Sequence, residues 1–181
     1  MTQSAPDHQQ QRPTYWVDEF TLALARQQQQ GSAACGPWLA GFRWQIYVVL
    51  TFAYWPSPEG AQRAVQHWIA ALQESYPRLY AYPAYDRGKA TSRLNVHVLL
   101  GGLFVSRKAI PKGYQRMLAL ERAITLAKRK WSQGRVKKIE PYDARRGASN
   151  YLAQYCNDTE LPGEFFGRPI RKKKQRRRSG K

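Results

Sequence analysis

The stretch "WQIYVVLTFAYW", residues 44–55, decides how the rest of the chain is read. It is rich in β-branched and aromatic residues and stops at Pro56, which has no backbone N–H to offer a ladder. This composition predicts a central strand. Ser57, Pro58 and Glu59 follow as a cap, a first-turn proline and an acid, and Ala64, Val65, Trp68, Ile69 and Leu72 recur at helical spacing. A helix over 58–75 is expected.

"RLYAYPAYD" (78–86) and "RLNVHVLLGGL" (93–103) read as two strands joined by the polar turn "RGKATS", pairing antiparallel beside the first strand. "PKGYQRMLALERAITLAKRKW" (111–131) is a second helix, "GRVKKIEPYD" (134–143) a fourth strand and "RGASNYLAQYC" (146–156) a last short helix. The order β-α-β-β-α-β-α suits an α+β fold, a ferredoxin-like split βαβ antiparallel sheet with helices on one face.

Polar, Gln-rich sequence before this core predicts a partly disordered segment over 1–43, with a short amphipathic helix in "YWVDEFTLALAR". The globular domain is expected over 44–160, followed by a flexible basic tail over 161–181.

Thirty Lys and Arg oppose twelve Asp and Glu, for a formal charge of +18. Nine of the cations lie in 168–181, which holds no acid, so the body keeps 21 against 12. Such an excess points to a polyanionic partner, nucleic acid before an anionic membrane surface. No apolar run approaches the roughly 20 residues that span a bilayer, and the N-terminus lacks a signal-peptide pattern. Two cysteines, Cys35 and Cys156, are too few for a disulfide framework. A cytoplasmic protein without a membrane partner is expected.

Tyr151 and Tyr155 lie four apart on the last helix, so their phenols share one face about 6 Å apart. A phenol can attack phosphorus and hold a strand end covalently, although an isolated i, i+4 aromatic pair is more often core. His97 lies inside the third strand, and Asn95, two residues earlier, shares its face. His67 and His8 have no partner at ligand spacing.

The order of these features resembles the HUH-type rolling-circle replication initiators of plasmids and phages. "VVLTFAY" (48–54) resembles the family's first motif, and "LNVHVLLGG" (94–102) its metal-binding motif, with Asn95 where the first histidine stands. "WSQGRVKKIEPYDARRGASNYLAQY" (131–155) resembles its tyrosine region, with Gln154 in place of the usual lysine. The resemblance covers residues 44–157. It implies a metal-dependent single-strand DNA endonuclease and strand transferase acting at a replication origin. Tyr151 would be the nucleophile and Tyr155 a second or positioning phenol, with Gln154 beside them. His97, Asn95 and Asp86 would hold Mg²⁺ or Mn²⁺. Thr51 would mark the DNA-contacting motif strand, and Arg171, Lys172, Lys173, Lys174, Arg176, Arg177 and Arg178 would track the strand's phosphates. A host helicase or polymerase would be a further partner. The competing expectations are a DNA-binding regulator of the same fold without cleavage, and a basic RNA-binding protein of ribosomal type.

Overall fold

The computed structural model describes residues 33–87, 93–104, 113–155, 161 and 163–172. Four strands form one antiparallel sheet: β1 (Trp44–Phe52), β2 (Tyr80–Arg87), β3 (Leu94–Gly101) and β4 (Gly134–Pro141). Helices cover 33–40 (α1), Pro58–Gln73 (α2), Gly113–Lys130 (α3) and Ala148–Ala153 (α4). The expected order β-α-β-β-α-β-α is recovered from β1 onward, but α1 precedes it within the segment expected to be polar and partly disordered. The helix anticipated in 15–26 lies outside the described residues.

The sheet order is β2-β3-β1-β4, so β3 sits between β1 and β2, the two strands that α2 connects. This is a split βαβ arrangement, compatible with a ferredoxin-like sheet. Pro83 fits β2 because β2 is an edge strand. Ala81, two residues earlier, exchanges both backbone bonds with Phe166 on that outer side, so the N–H that Pro83 lacks also faces the edge.

Strand alternation divides the sheet into two faces. Ile46, Val48, Leu50 and Phe52 of β1 join Val96, Val98 and Leu100 of β3 in a core with α2 and α3. The helix cap is as read: Ser57 Oγ accepts from Gly60 N at 3.1 Å. Trp68 Nε1 donates to Ala127 O at 3.0 Å, tying α2 to α3, and Trp131 Nε1 donates to Thr51 O at 3.2 Å. Truncating a fully buried residue such as Leu72 to Ala would cost about 2–5 kcal/mol.

The helices do not all lie on one face, contrary to the sequence expectation. Leu39, Phe42, Trp44, Tyr80, Tyr82, Leu99 and Leu152 form a second core on the opposite face, under α1 and α4. A six-residue amphipathic helix gives no signal of which sheet face it will cover.

The domain boundaries also shift. Leu39 and Phe42 are buried before residue 44, and Leu161 is buried after residue 160. Residues 163–172 form a strap, with Arg43 N donating to Ile170 O at 2.9 Å and Lys172 N to Gly41 O at 2.7 Å. Its apolar residues Phe165 and Ile170 pack on the second core, so charge density concealed a packed segment. Cys35 is disulfide-bonded, which departs from the free thiols that a reducing compartment favours. No helix among the described residues is long and apolar enough to cross a membrane.

Candidate active site

The second face carries the polar groups. Alternation along β1 sends Tyr47, Val49 and Thr51 away from the α2/α3 core, and the same parity on β3 sends Asn95 and His97 there. The register sets Asp86 opposite Asn95 and Asn95 opposite Thr51, with His97 opposite Val49 and Ala84.

Gly147 adopts φ 69°, the left-handed conformation that glycine reaches without a Cβ clash, and turns the chain from a 3-10 turn (Ala144–Arg146) into α4. Tyr142 Oη and Ser149 Oγ share a 2.8 Å hydrogen bond across that turn. Leu152 and Ala153 then bury against the sheet, leaving Tyr151 and Tyr155 over His97. The Tyr151 ring meets the imidazole edge-on at 4.9 Å between centroids, and the Tyr155 ring lies parallel to it at 6.3 Å.

A directed chain of hydrogen bonds links these groups. Tyr155 Oη donates to Tyr151 Oη at 3.2 Å, and Tyr151 Oη donates to Asp86 Oδ2 at 3.2 Å. The same Oδ2 lies 3.6 Å from His97 Nε2. His97 Nδ1 is 2.7 Å from Tyr47 Oη.

Burial pushes the His97 imidazole below its ordinary pKa, outweighing the pull of Asp86, and Lys137 adds to the depression. The ring is therefore neutral near pH 7, and its approach to Asp86 is not a charged ion pair. Burial, the hydrogen bond to Tyr151 and the Asp86 charge push the Tyr155 phenol far up, so it stays protonated and donates its hydrogen bond to Tyr151. Burial raises Tyr47 to about 12.

His97 Nε2 is buried without a hydrogen-bond partner among the described residues. In the tautomer that carries its proton on Nδ1 and donates it to the Tyr47 oxygen, Nε2 keeps a lone pair for a cation, as in many histidine ligands. That nitrogen, the Asp86 carboxylate 3.6 Å from it and Asn95 on the same face are the residues that would hold a divalent cation. No three His, Cys, Asp or Glu side chains come together as a metal site among the described residues.

The structure thus brings His97, Asp86, Tyr151 and Tyr155 together, with Asn95 beside Asp86. Thr51 shares the row but spends its hydroxyl on Arg135 O at 3.1 Å, fastening β4. Gln154 is exposed at the C-cap of α4, outside the hydrogen-bonded chain. Arg171 lies over the Phe42 ring at 5.5 Å, part of the strap. Lys173, Lys174, Arg176, Arg177 and Arg178 lie outside the described residues.

Sequence reasoning missed Tyr47, although its parity with Thr51 places it on the site face. It also missed a cation pair. Val49 pairs with Lys138 but Leu50 pairs with Val136, so β4 bulges at Lys137. The bulge lets Val136 and Ile139, three apart, both face the core while Lys137 and Lys138 both reach the site side. They line a cavity of roughly 620 Å³ with Tyr47, His97, Tyr142 and Tyr151.

Compared with protein-family models, with curated proteins and with solved structures, the chain gives no match.

Proposed function

We propose that the protein nicks single-stranded DNA through Tyr151, as an initiator of rolling-circle replication does, and keeps the 5′ end as a phosphotyrosine. The observation that carries this reading is the Tyr151 phenol donating to Asp86 beside the neutral, buried His97, three residues from separate elements. An i, i+4 tyrosine pair filling a core would not leave its first phenol 37% exposed and aimed at a carboxylate.

In the step, Tyr151 Oη attacks phosphorus and its proton passes to Asp86 Oδ2. The P–O3′ bond breaks, and the 3′ oxygen takes that proton from Asp86, leaving as a free hydroxyl and restoring the carboxylate. Tyr155, held protonated, hydrogen-bonds the Tyr151 oxygen and orients it. Tyr47 fixes the His97 tautomer. A divalent cation held by His97, Asn95 and Asp86 would polarise the scissile phosphate. Attack by a 3′ hydroxyl on the phosphotyrosine reverses the sequence and rejoins strands.

A second reading, DNA binding without cleavage, draws on the neutral Asn95 amide, which holds a divalent cation less firmly than a charged oxygen would. Incubating the full chain with single-stranded origin DNA and Mn²⁺ separates the two. The nuclease reading expects a covalent adduct that survives denaturation, is absent in Tyr151→Phe and persists in Gln154→Ala. An adduct retained in Tyr151→Phe overturns the assignment. Salt-sensitive binding without adduct under any divalent metal supports the second reading.

A further inference from the structure

We infer that the cavity between the β4 bulge and α4 is a nucleotide subsite, which takes the unpaired base next to the phosphate that Tyr151 attacks. The inference rests on the nuclease reading for its register along the strand, but not for the pocket itself.

The cavity volume of roughly 620 Å³ lies within the range of small-ligand pockets, large enough for one nucleotide and too small for a base pair with its backbone. His97 and Tyr151 form part of its wall, so an occupant there is a direct neighbour of the phenol. Tyr142 and Tyr47 supply aromatic rings, the latter with Lys138 over it, and Lys137, Lys138 and Arg146 supply positive charge against the acids Glu140 and Asp143 in the same lining.

Two of those cations are held in place. Lys138 Nζ lies 3.1 Å from Glu140 Oε1, and Arg146 Nη1 donates to the same oxygen at 2.8 Å. Lys138 also sits 5.6 Å above the Tyr47 ring. This triad makes a polar rim in which Glu140 offsets one of the two positive charges. Lys137 is exposed and is the residue that the bulge adds. It is free to meet a phosphate, and so brings to the site the charge that Gln154 lacks on the tyrosine helix. Aromatic walls with adjoining cations are the combination that holds unpaired bases, whereas paired bases present no free face to stack.

The test compares binding of the full chain to a labelled oligothymidylate and to an abasic strand of equal length and phosphate count. Wild type should favour the thymidine strand about tenfold, the order of one base stacked on an aromatic ring. Ala148→Phe, which fills the cavity without changing charge, should bring that ratio near one. Lys137→Ala should weaken binding to both strands and lower the salt slope by about 0.7. Because a filled variant can fail to fold, 5-iodouracil strands are photo-crosslinked to wild type in parallel. Adducts should map to Tyr47 or Tyr142.

Equal affinity of wild type for the two strands, or crosslinks confined to the exposed Trp55 and Tyr54 beyond β1, overturns the inference. A covalent Tyr151 adduct obtained alongside that result leaves the nuclease reading standing. Base preference and crosslinks in the cavity without any adduct leave the subsite standing and remove the nuclease.

Discussion

Replacing Tyr47 with Phe isolates one hydrogen bond at the centre of the site. The ring stays, so the near-parallel packing on His97, 6.1 Å between centroids, is retained. The phenol oxygen 2.7 Å from Nδ1 is lost. Because His97 is only 7% exposed and its Nε2 already has no partner, the variant leaves both ring nitrogens unsatisfied. A net hydrogen bond is worth about 0.5–1.5 kcal/mol, and a stranded buried polar group costs about 1–3 kcal/mol. A loss near 2 kcal/mol follows, which lowers Tm by about 4–8 °C for a domain of this size. Calorimetry at pH 7.5 measures it. Tyr54→Phe, which removes an exposed phenol bonded to Gln133 at 2.8 Å, is the control and should shift Tm by about 1 °C. Histidine ¹⁵N shifts should show the His97 tautomer mixture changing in Tyr47→Phe alone. Under the metal-dependent reading, divalent-metal affinity should fall about 10–100-fold, the usual effect of removing a group that orients a histidine ligand. A Tyr47→Phe variant that melts with wild type and keeps its His97 shifts would refute the tautomer argument.

Two further outcomes are expected. Burial holds His97 below its ordinary 6.5, so on acidification the unfolded chain takes up a proton first. The His97 contribution to stability is therefore full above about pH 6.5 and falls as pH drops toward the folded-state value. Tm measured from pH 8 to 5 should decline less in His97→Asn than in wild type, and an unchanged slope counts against the buried neutral ring. Ending the chain after Lys172 removes six tail cations, which should weaken binding and flatten its salt slope by up to about 4 without altering Tm. Ending it before Arg168 also removes the strap bonds at Ile170 and Lys172, and should cost about 2–4 kcal/mol in a melt. Equal melting of the two truncations would remove the strap from the fold.

Much of this was legible in the sequence because it depends on local periodicity. The β-branched run at 44–52, the cap at Ser57 and the period-two placement of Asn95 and His97 follow from backbone geometry alone. So does the shared face of Tyr151 and Tyr155. The polyanion expectation follows from charge. What the tertiary structure decided has no local cause. The face that α4 covers is set by the second core, which places Tyr151 on Asp86, 65 residues away in the chain. The bulge at Lys137 arises from pairing with β1, and only pairing shows that two adjacent lysines reach one side. Phe165 and Ile170 pack the strap although the charge around them reads as tail. Composition specifies what a segment can do in water, but burial depends on which surfaces are available, and those surfaces exist only once the sheet has formed.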